Sequence, residues 1–185
     1  MKKKDKFNIP NFKFPLFKVY CPKNIGKKIE RAMQTGEVSE GRYSEEFEEK
    51  FSKNFNLNQK KCVLLNSGTS ALTLAYRLMN LKKNDEVISS PMTCPATNEP
   101  LFNSDIKVKF ADIDKDTGNL NLDHVEKLIN KKTKAIIVVH WGGQPVDLSG
   151  LKKIIKNRDI KIVEDAAHAL GAKLNNKYIG HHSDF

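Results

Sequence analysis

Cys62-Val63-Leu64-Leu65-Asn66-Ser67-Gly68-Thr69-Ser70-Ala71 is the stretch whose reading decides the fold. Its first four residues form a short apolar run with the length of a buried strand. The polar, glycine-bearing turn after it opens a helix that reaches about Asn80. Downstream the alternation repeats. Glu86 to Ser89 and Val108 to Phe110 read as strands, a helix runs from about Asn121 to Asn130, and Ala135-Ile136-Ile137-Val138-Val139 is the next strand. Asp147 or Ser149 opens a further helix, and Ile160 to Val163 is a further strand. β-Branched apolar strands separated by helices predict an α/β domain: a mostly parallel sheet flanked by helices. In such sheets ligands gather at the carboxyl ends of the strands. Those ends carry Asn66 to Thr69, Ser90 to Thr93, His140-Trp141 and Glu164-Asp165, which puts the candidate chemistry on one edge.

Upstream of the deciding stretch, Ser44 can cap a helix whose Phe47, Phe51 and Phe55 recur at i, i+4, i+8 on one face. A shorter helix covers Ile25 to Gln34 and stops near Gly36. Residues 1–23, with Pro10, Pro15 and Pro22, read as an extended N-terminal arm leading into a domain of residues 24–185. Lysines at 2, 3, 4 and 6 imitate the start of a signal peptide. Phe7-Asn8-Ile9-Pro10-Asn11 then lacks a continuous apolar core, so a cytoplasmic protein is expected. Cys21, Cys62 and Cys94 are widely spaced and form no CxxC pair, which suggests neither a disulfide framework nor a zinc site. The net charge of +10 raises the question of a nucleic-acid partner. All but four of the 32 basic residues are Lys, however, and they bracket apolar segments, as a solvated surface does.

Asn66-Ser67-Gly68-Thr69-Ser70 joins a strand to a helix, so its glycine, hydroxyls and unpaired helix N–H groups make an anion site suited to a phosphate. An ordinary capped turn explains it equally. No GxxxxGK[ST] and no GxGxxG is present, which disfavours a P-loop enzyme and a dinucleotide enzyme. Asp165 closes the strand Ile162-Val163-Glu164 and could neutralise a protonated ring nitrogen, bind a metal or cap a helix. The small residues after it, in Asp165-Ala166-Ala167-His168-Ala169-Leu170-Gly171-Ala172, leave room for a flat ligand. A phosphate site and a carboxylate on one edge together fit pyridoxal 5'-phosphate (PLP), which needs its phosphate anchored and its pyridine nitrogen kept protonated. Trp141 reads as a ligand neighbour or as a packed core residue. The adjacent His181 and His182 point in divergent directions without a third ligand, and are expected as an exposed loop pair.

The chain resembles the DegT/StrS-type sugar aminotransferases, which have the fold of aspartate aminotransferase. The resemblance runs from about Asn24 to Phe185. It rests on Gly36-Glu37-Val38-Ser39-Glu40-Gly41, Asn66 to Leu72, Asp85-Glu86-Val87-Ile88, Phe110-Ala111-Asp112-Ile113-Asp114, Thr133 to Ile137, Gly143-Gln144-Pro145-Val146-Asp147 and Glu164 to Ala172. It implies part of a PLP fold-type I large domain, with Gly68, Thr69 and Ser70 on the phosphate and Asp165 on the pyridine nitrogen. His168 stands where the family often has Gln, near the ring hydroxyl. Cys94 stands where many relatives stack an aromatic ring on PLP, and it cannot stack in that way. The family's Schiff-base lysine is expected just beyond the segment that ends at Phe185.

The implied activity is transfer of an amino group from a donor such as glutamate onto a nucleotide-linked keto-sugar, by an enzyme that is usually a homodimer. The alternatives are a PLP-dependent nucleotide-sugar dehydratase, in which a histidine replaces the lysine, and a non-catalytic half-domain. A nucleic-acid binder rests on net charge alone.

Overall fold

The apolar runs around Val87, Ile137 and Val163 form a parallel sheet, as their β-branched content predicts. The computed structural model describes residues 19–36, 38–57 and 62–185. The chain divides into two compact units, residues 1–46 and 47–185. Most of the arm expected at residues 1–23 lies outside the described residues. In the first unit, α1 (Ile25–Thr35) ends where Gly36 takes φ +73° and donates its N–H to the Met33 carbonyl.

α2 spans Arg42–Asn54 and starts two residues before Ser44, the expected cap. The Gly41 carbonyl already accepts the Ser44 and Glu45 N–H groups, so Ser44 falls inside the first turn. The helix is followed by α3 (Gly68–Leu78), β1 (Glu86–Ser89), α4 (Pro95–Phe102), β2 (Lys107–Phe110), α5 (Leu122–Leu128) and β3 (Thr133–Val139). α6 (Leu148–Ile155), β4 (Lys161–Asp165) and a hairpin of β5 (Lys173–Leu174) and β6 (Lys177–Tyr178) complete the order. The sheet order is β2-β1-β3-β4, and every pairing in it is parallel.

Period-two alternation sorts the strand residues onto two faces. Val87, Ala135, Ile137 and Val163 pack with Tyr76 of α3 and Leu101 of α4. Ile88, Ile136, Val138 and Ile162 pack with Val125 of α5 and Leu148, Leu151 and Ile155 of α6. Ile88, Ile136, Ile137 and Leu148 are wholly buried, each side chain contributing about 1.5–3 kcal/mol by its removal from water. The β1–β2 connection leaves in one direction and the β3–β4 connection in the other, so the chain switches direction between the carboxyl ends of β1 and β3. That is where open α/β sheets place a ligand crevice.

One expected strand does not form. Cys62 to Leu65 belongs to neither sheet, and Val63, Leu64 and Leu65 are exposed. A strand needs a neighbour to take its backbone groups. Here the Leu64 N–H goes instead to the Glu48 carboxylate at 2.6 Å.

Candidate functional site

Glu164 and Asp165 are consecutive, so the strand's alternation turns them to opposite faces. Asp165 follows the parity of Val163 and faces α3 and α4. Its Oδ2 accepts the Thr97 hydroxyl of α4 at 2.6 Å, and its Oδ1 accepts the Ala167 N–H at 3.2 Å. Glu164 follows the parity of Ile162 and is buried against His140, with Oε2 at 2.9 Å from Nε2. The Val146 N–H donates to His140 Nδ1 at 3.1 Å, so Nε2 carries the proton of the neutral imidazole and donates it to Glu164. Burial alone would raise the Glu164 pKa. Hydrogen bonds involving His140, Ser183 and the Gly180 N–H outweigh it and hold the carboxyl below the usual glutamate value. The pair also brackets the edge, because the His140 N–H donates to the Asp165 carbonyl at 3.2 Å.

Helix α3 begins at Gly68. Ser67 caps it, its side chain accepting the Ser70 N–H at 3.1 Å with the two hydroxyls 3.0 Å apart. A Cβ built on Gly68 would meet nothing within 4 Å, so the backbone here borders open space. Thr69 is exposed and Ser70 half-buried. Hydroxyls, first-turn N–H groups and the positive end of the helix dipole therefore adjoin a free volume, the arrangement an anion requires.

The structure ties this helix to Asp165 through two side chains. Tyr76 of α3 donates its hydroxyl to the Thr97 carbonyl at 2.8 Å, and Thr97 donates to Asp165. Burial and the Asp165 charge both raise the Tyr76 pKa, which keeps the phenol a donor. His168 lies three residues beyond Asp165, exposed, with its ring 5.7 Å from Trp141 and inclined at 63°. Its Nδ1 accepts the Gly142 N–H at 3.3 Å, which leaves Nε2 as the protonated nitrogen of the neutral ring. Gly143 has φ +85°, and a Cβ there would come within 2.8 Å of the His168 carbonyl oxygen, so the turn after β3 requires glycine. Trp141 is half-buried against Gly118, and its backbone N–H donates to Asn119 Oδ1 at 2.9 Å.

Cys94 is exposed and precedes α4 without a side-chain capping bond. The histidine pair is not an exposed loop as expected: both are half-buried. His181 Nε2 meets the Phe55 carbonyl at 2.6 Å, and His182 Nε2 the Leu174 carbonyl at 3.3 Å. Among the described residues no group of three His, Cys, Asp or Glu could hold a metal ion, and no helix is long and apolar enough to cross a membrane. Sequence reasoning placed Thr93 on the candidate edge but missed its partner Thr97, and Tyr76. The hydroxyl-rich run Ser89-Ser90-Pro91-Met92-Thr93 marked the strand end, but nothing local reveals the contact of Thr97 with a carboxylate 68 residues away.

A model of the DegT/DnrJ/EryC1/StrS aminotransferase family matches residues 21–185. An uncharacterized protein of Methanocaldococcus jannaschii is 42% identical over 134 residues, which are 72% of this chain and 34% of that protein. GDP-perosamine synthase of Escherichia coli O157:H7 is 32% identical over 170 residues, 90% of this chain and 46% of that enzyme. Among solved structures, E. coli GDP-4-keto-6-deoxy-D-mannose-3-dehydratase with bound hydrated PLP superposes with a TM-score of 0.86 at 31% identity. The match covers 92% of this chain and 45% of that one. The chain thus spans less than half the length of these relatives. The parallel sheet, the glycine-bearing turn that opens α3 and the carboxylate closing β4 fall within one continuous match, and the chain belongs to the DegT/DnrJ/EryC1/StrS aminotransferase family.

Proposed function

We propose that this chain supplies the cofactor-holding side of a PLP-dependent aminotransferase. Its reaction moves an amino group from an amino-acid donor such as glutamate onto a nucleotide-linked keto-sugar. The observation that carries the reading is the bonded line from Tyr76, in the last turn of α3, through Thr97 to Asp165, which ties the helix whose open start could take an anion to a carboxylate at the end of β4. The residues present fit PLP: Gly68 borders open space, and Asp165 has its two oxygens held by single donors with a lone pair left on each.

PLP, when bound, supplies an electron sink for the pair of electrons left as the donor's α-proton departs. Gly68, Thr69 and Ser70 would hold its phosphate through N–H groups and hydroxyls. Asp165 would keep the ring nitrogen protonated by placing a fixed negative charge beside it. His168 would donate Nε2–H toward the ring hydroxyl. Cys94 would border the ring without a stacking face. The lysine of the family's chemistry is assigned to the sequence following the segment that ends at Phe185. Residues 24–185 are assigned to the large domain, residues 1–23 to an arm, and the full-length enzyme to a homodimer.

The test is made on the full-length protein. Asp165→Ala should abolish amino transfer from glutamate. Asp165→Asn, which keeps the shape and loses the charge, should lower kcat roughly 100-fold or more. Near-normal turnover in both variants would reject the assignment. The likeness to the dehydratase supports a second reading, elimination from the same class of sugar. Product analysis separates the two, since an amino sugar supports transfer and a deoxy keto-sugar supports elimination.

A further inference from the structure

Three elements meet at Thr97, which is wholly buried. Its hydroxyl donates to Asp165 Oδ2 at 2.6 Å, and its carbonyl accepts the Tyr76 hydroxyl at 2.8 Å. The Thr93 and Thr97 hydroxyl oxygens are 2.7 Å apart. A hydroxyl has one proton, and that of Thr97 is given to Asp165, so in the contact with Thr93 it can only accept. The direction of the relay is therefore fixed: Thr93 to Thr97 to Asp165. Asn98, the next residue of α4, is anchored as well. It sits 2.6 Å from the Ser89 hydroxyl and donates to the Ser90 carbonyl at 2.9 Å, so α4 is pinned to the carboxyl end of β1.

A threonine in a helix commonly satisfies its hydroxyl on a carbonyl one turn back. Thr73 does this with Thr69 at 2.7 Å. Thr97 instead reaches a carboxylate on another element, and a valine of the same shape would fill its buried position without needing a partner. We propose that Thr97 is a positioning residue for the cofactor. It orients the Asp165 carboxylate and, through Tyr76, links it to the helix whose start would hold the phosphate. The role rests on the assignment of Asp165 to the ring nitrogen.

The probe is pyridoxamine 5'-phosphate, which keeps the ring nitrogen and phosphate of PLP but has no aldehyde to react with lysines. It is titrated into the full-length protein, and both its Kd and the pH dependence of the bound ring's absorption are read. Thr97→Val is expected to raise Kd about tenfold, the loss of one hydrogen bond to a charged group. It should also lower, by about one pH unit, the pH at which the bound ring loses its protonated spectrum. Thr97→Ser, which keeps the hydroxyl, should restore both.

A lowered affinity without the spectral shift overturns the proposal, because packing alone would explain it. So does failure of serine to restore the spectrum. A Thr97→Val protein that matches the parent, beside an Asp165→Ala protein that binds weakly, overturns the role of Thr97 and leaves that of Asp165 standing. Unchanged binding by Asp165→Ala overturns both. If Thr97→Val does not fold, Tyr76→Phe removes the second link alone, and an unchanged Kd there overturns the proposal.

Discussion

Consecutive carboxylates at the end of β4 show how one residue's place in a strand sets its chemistry. Asp165 is half-buried and bonded to Thr97 of α4, whereas Glu164 is sealed against His140. The depressed pKa of Glu164 has a definite consequence for stability. Its folded-state value lies below the usual 4.5, so at mildly acidic pH the unfolded chain binds more protons than the folded one. The stabilisation is present above pH 4.5 and is lost as the pH falls through the folded value. Thermal unfolding should show a Tm that drops below pH 4.5 in the parent and drops less in Glu164→Gln. At neutral pH that variant should cost about 1–3 kcal/mol, and parallel Tm profiles would count against the pairing. Gly68 gives a complementary test. A side chain there meets open space, so Gly68→Val should leave Tm nearly unchanged. It should weaken binding of pyridoxamine 5'-phosphate at least about tenfold if that space holds the phosphate. Unchanged affinity at fixed ionic strength would remove Gly68 from the site.

Elements differed in how far local sequence revealed them. β3 was legible because apolar residues run continuously from Ala135 to Val139, and β1 because the β-branched pair Val87-Ile88 sits between turn residues; such patterns need no distant context. The turn that opens α3 and the carboxylate that closes β4 were legible for the same reason. α4 was not. Pro95-Ala96-Thr97-Asn98-Glu99-Pro100 is assigned no element from its sequence, yet it is helical, with Pro95 in the first turn where no N–H is required and with Asn98 bonded to Ser89 at the end of β1. Tertiary bonds outweighed propensity, and Thr97 went unseen together with its helix. Cys62 to Leu65 erred in the opposite sense, since its apolar composition suits a strand but no strand among the described residues pairs with it. The β5–β6 hairpin was missed because Asn175 and Asn176 carry a weak turn signal. Both adopt positive φ, 50° and 63°, as a two-residue hairpin loop of the mirror-image type demands. Glycine enters that region more freely than asparagine. Asn176→Gly should therefore retain or raise Tm, and Asn176→Val should lower stability by roughly 1–2 kcal/mol. A valine variant as stable as the parent would contradict the turn assignment.

At the scale of the whole molecule, a charge of +10 accompanies apolar side chains that the described structure leaves uncovered. Val63, Leu78, Phe102 and Leu170 are each more than half exposed, and Phe102 packs edge-on against the exposed Phe110. A cavity of about 580 Å³ between Phe51 of α2, Phe55 just beyond it and the segment 166–185 is lined largely by apolar groups. Copies of the 185-residue chain should therefore associate through apolar contact while their net charge opposes approach. Salt screens the repulsion and leaves the apolar attraction intact. Sedimentation velocity should show association that grows with protein concentration and with ionic strength; association that salt dissolves would point to charge pairing instead. The same chain, expressed alone, provides the sharpest test of where the chemistry resides. PLP reacts reversibly with exposed lysines, so an absorbance change on mixing would carry no weight. Borohydride reduction followed by peptide mapping discriminates. The proposed assignment expects scattered, substoichiometric labelling and no pyridoxamine phosphate on addition of glutamate. One stoichiometrically labelled lysine, together with pyridoxamine phosphate formed from glutamate, would place the complete reaction within residues 1–185 and overturn that assignment.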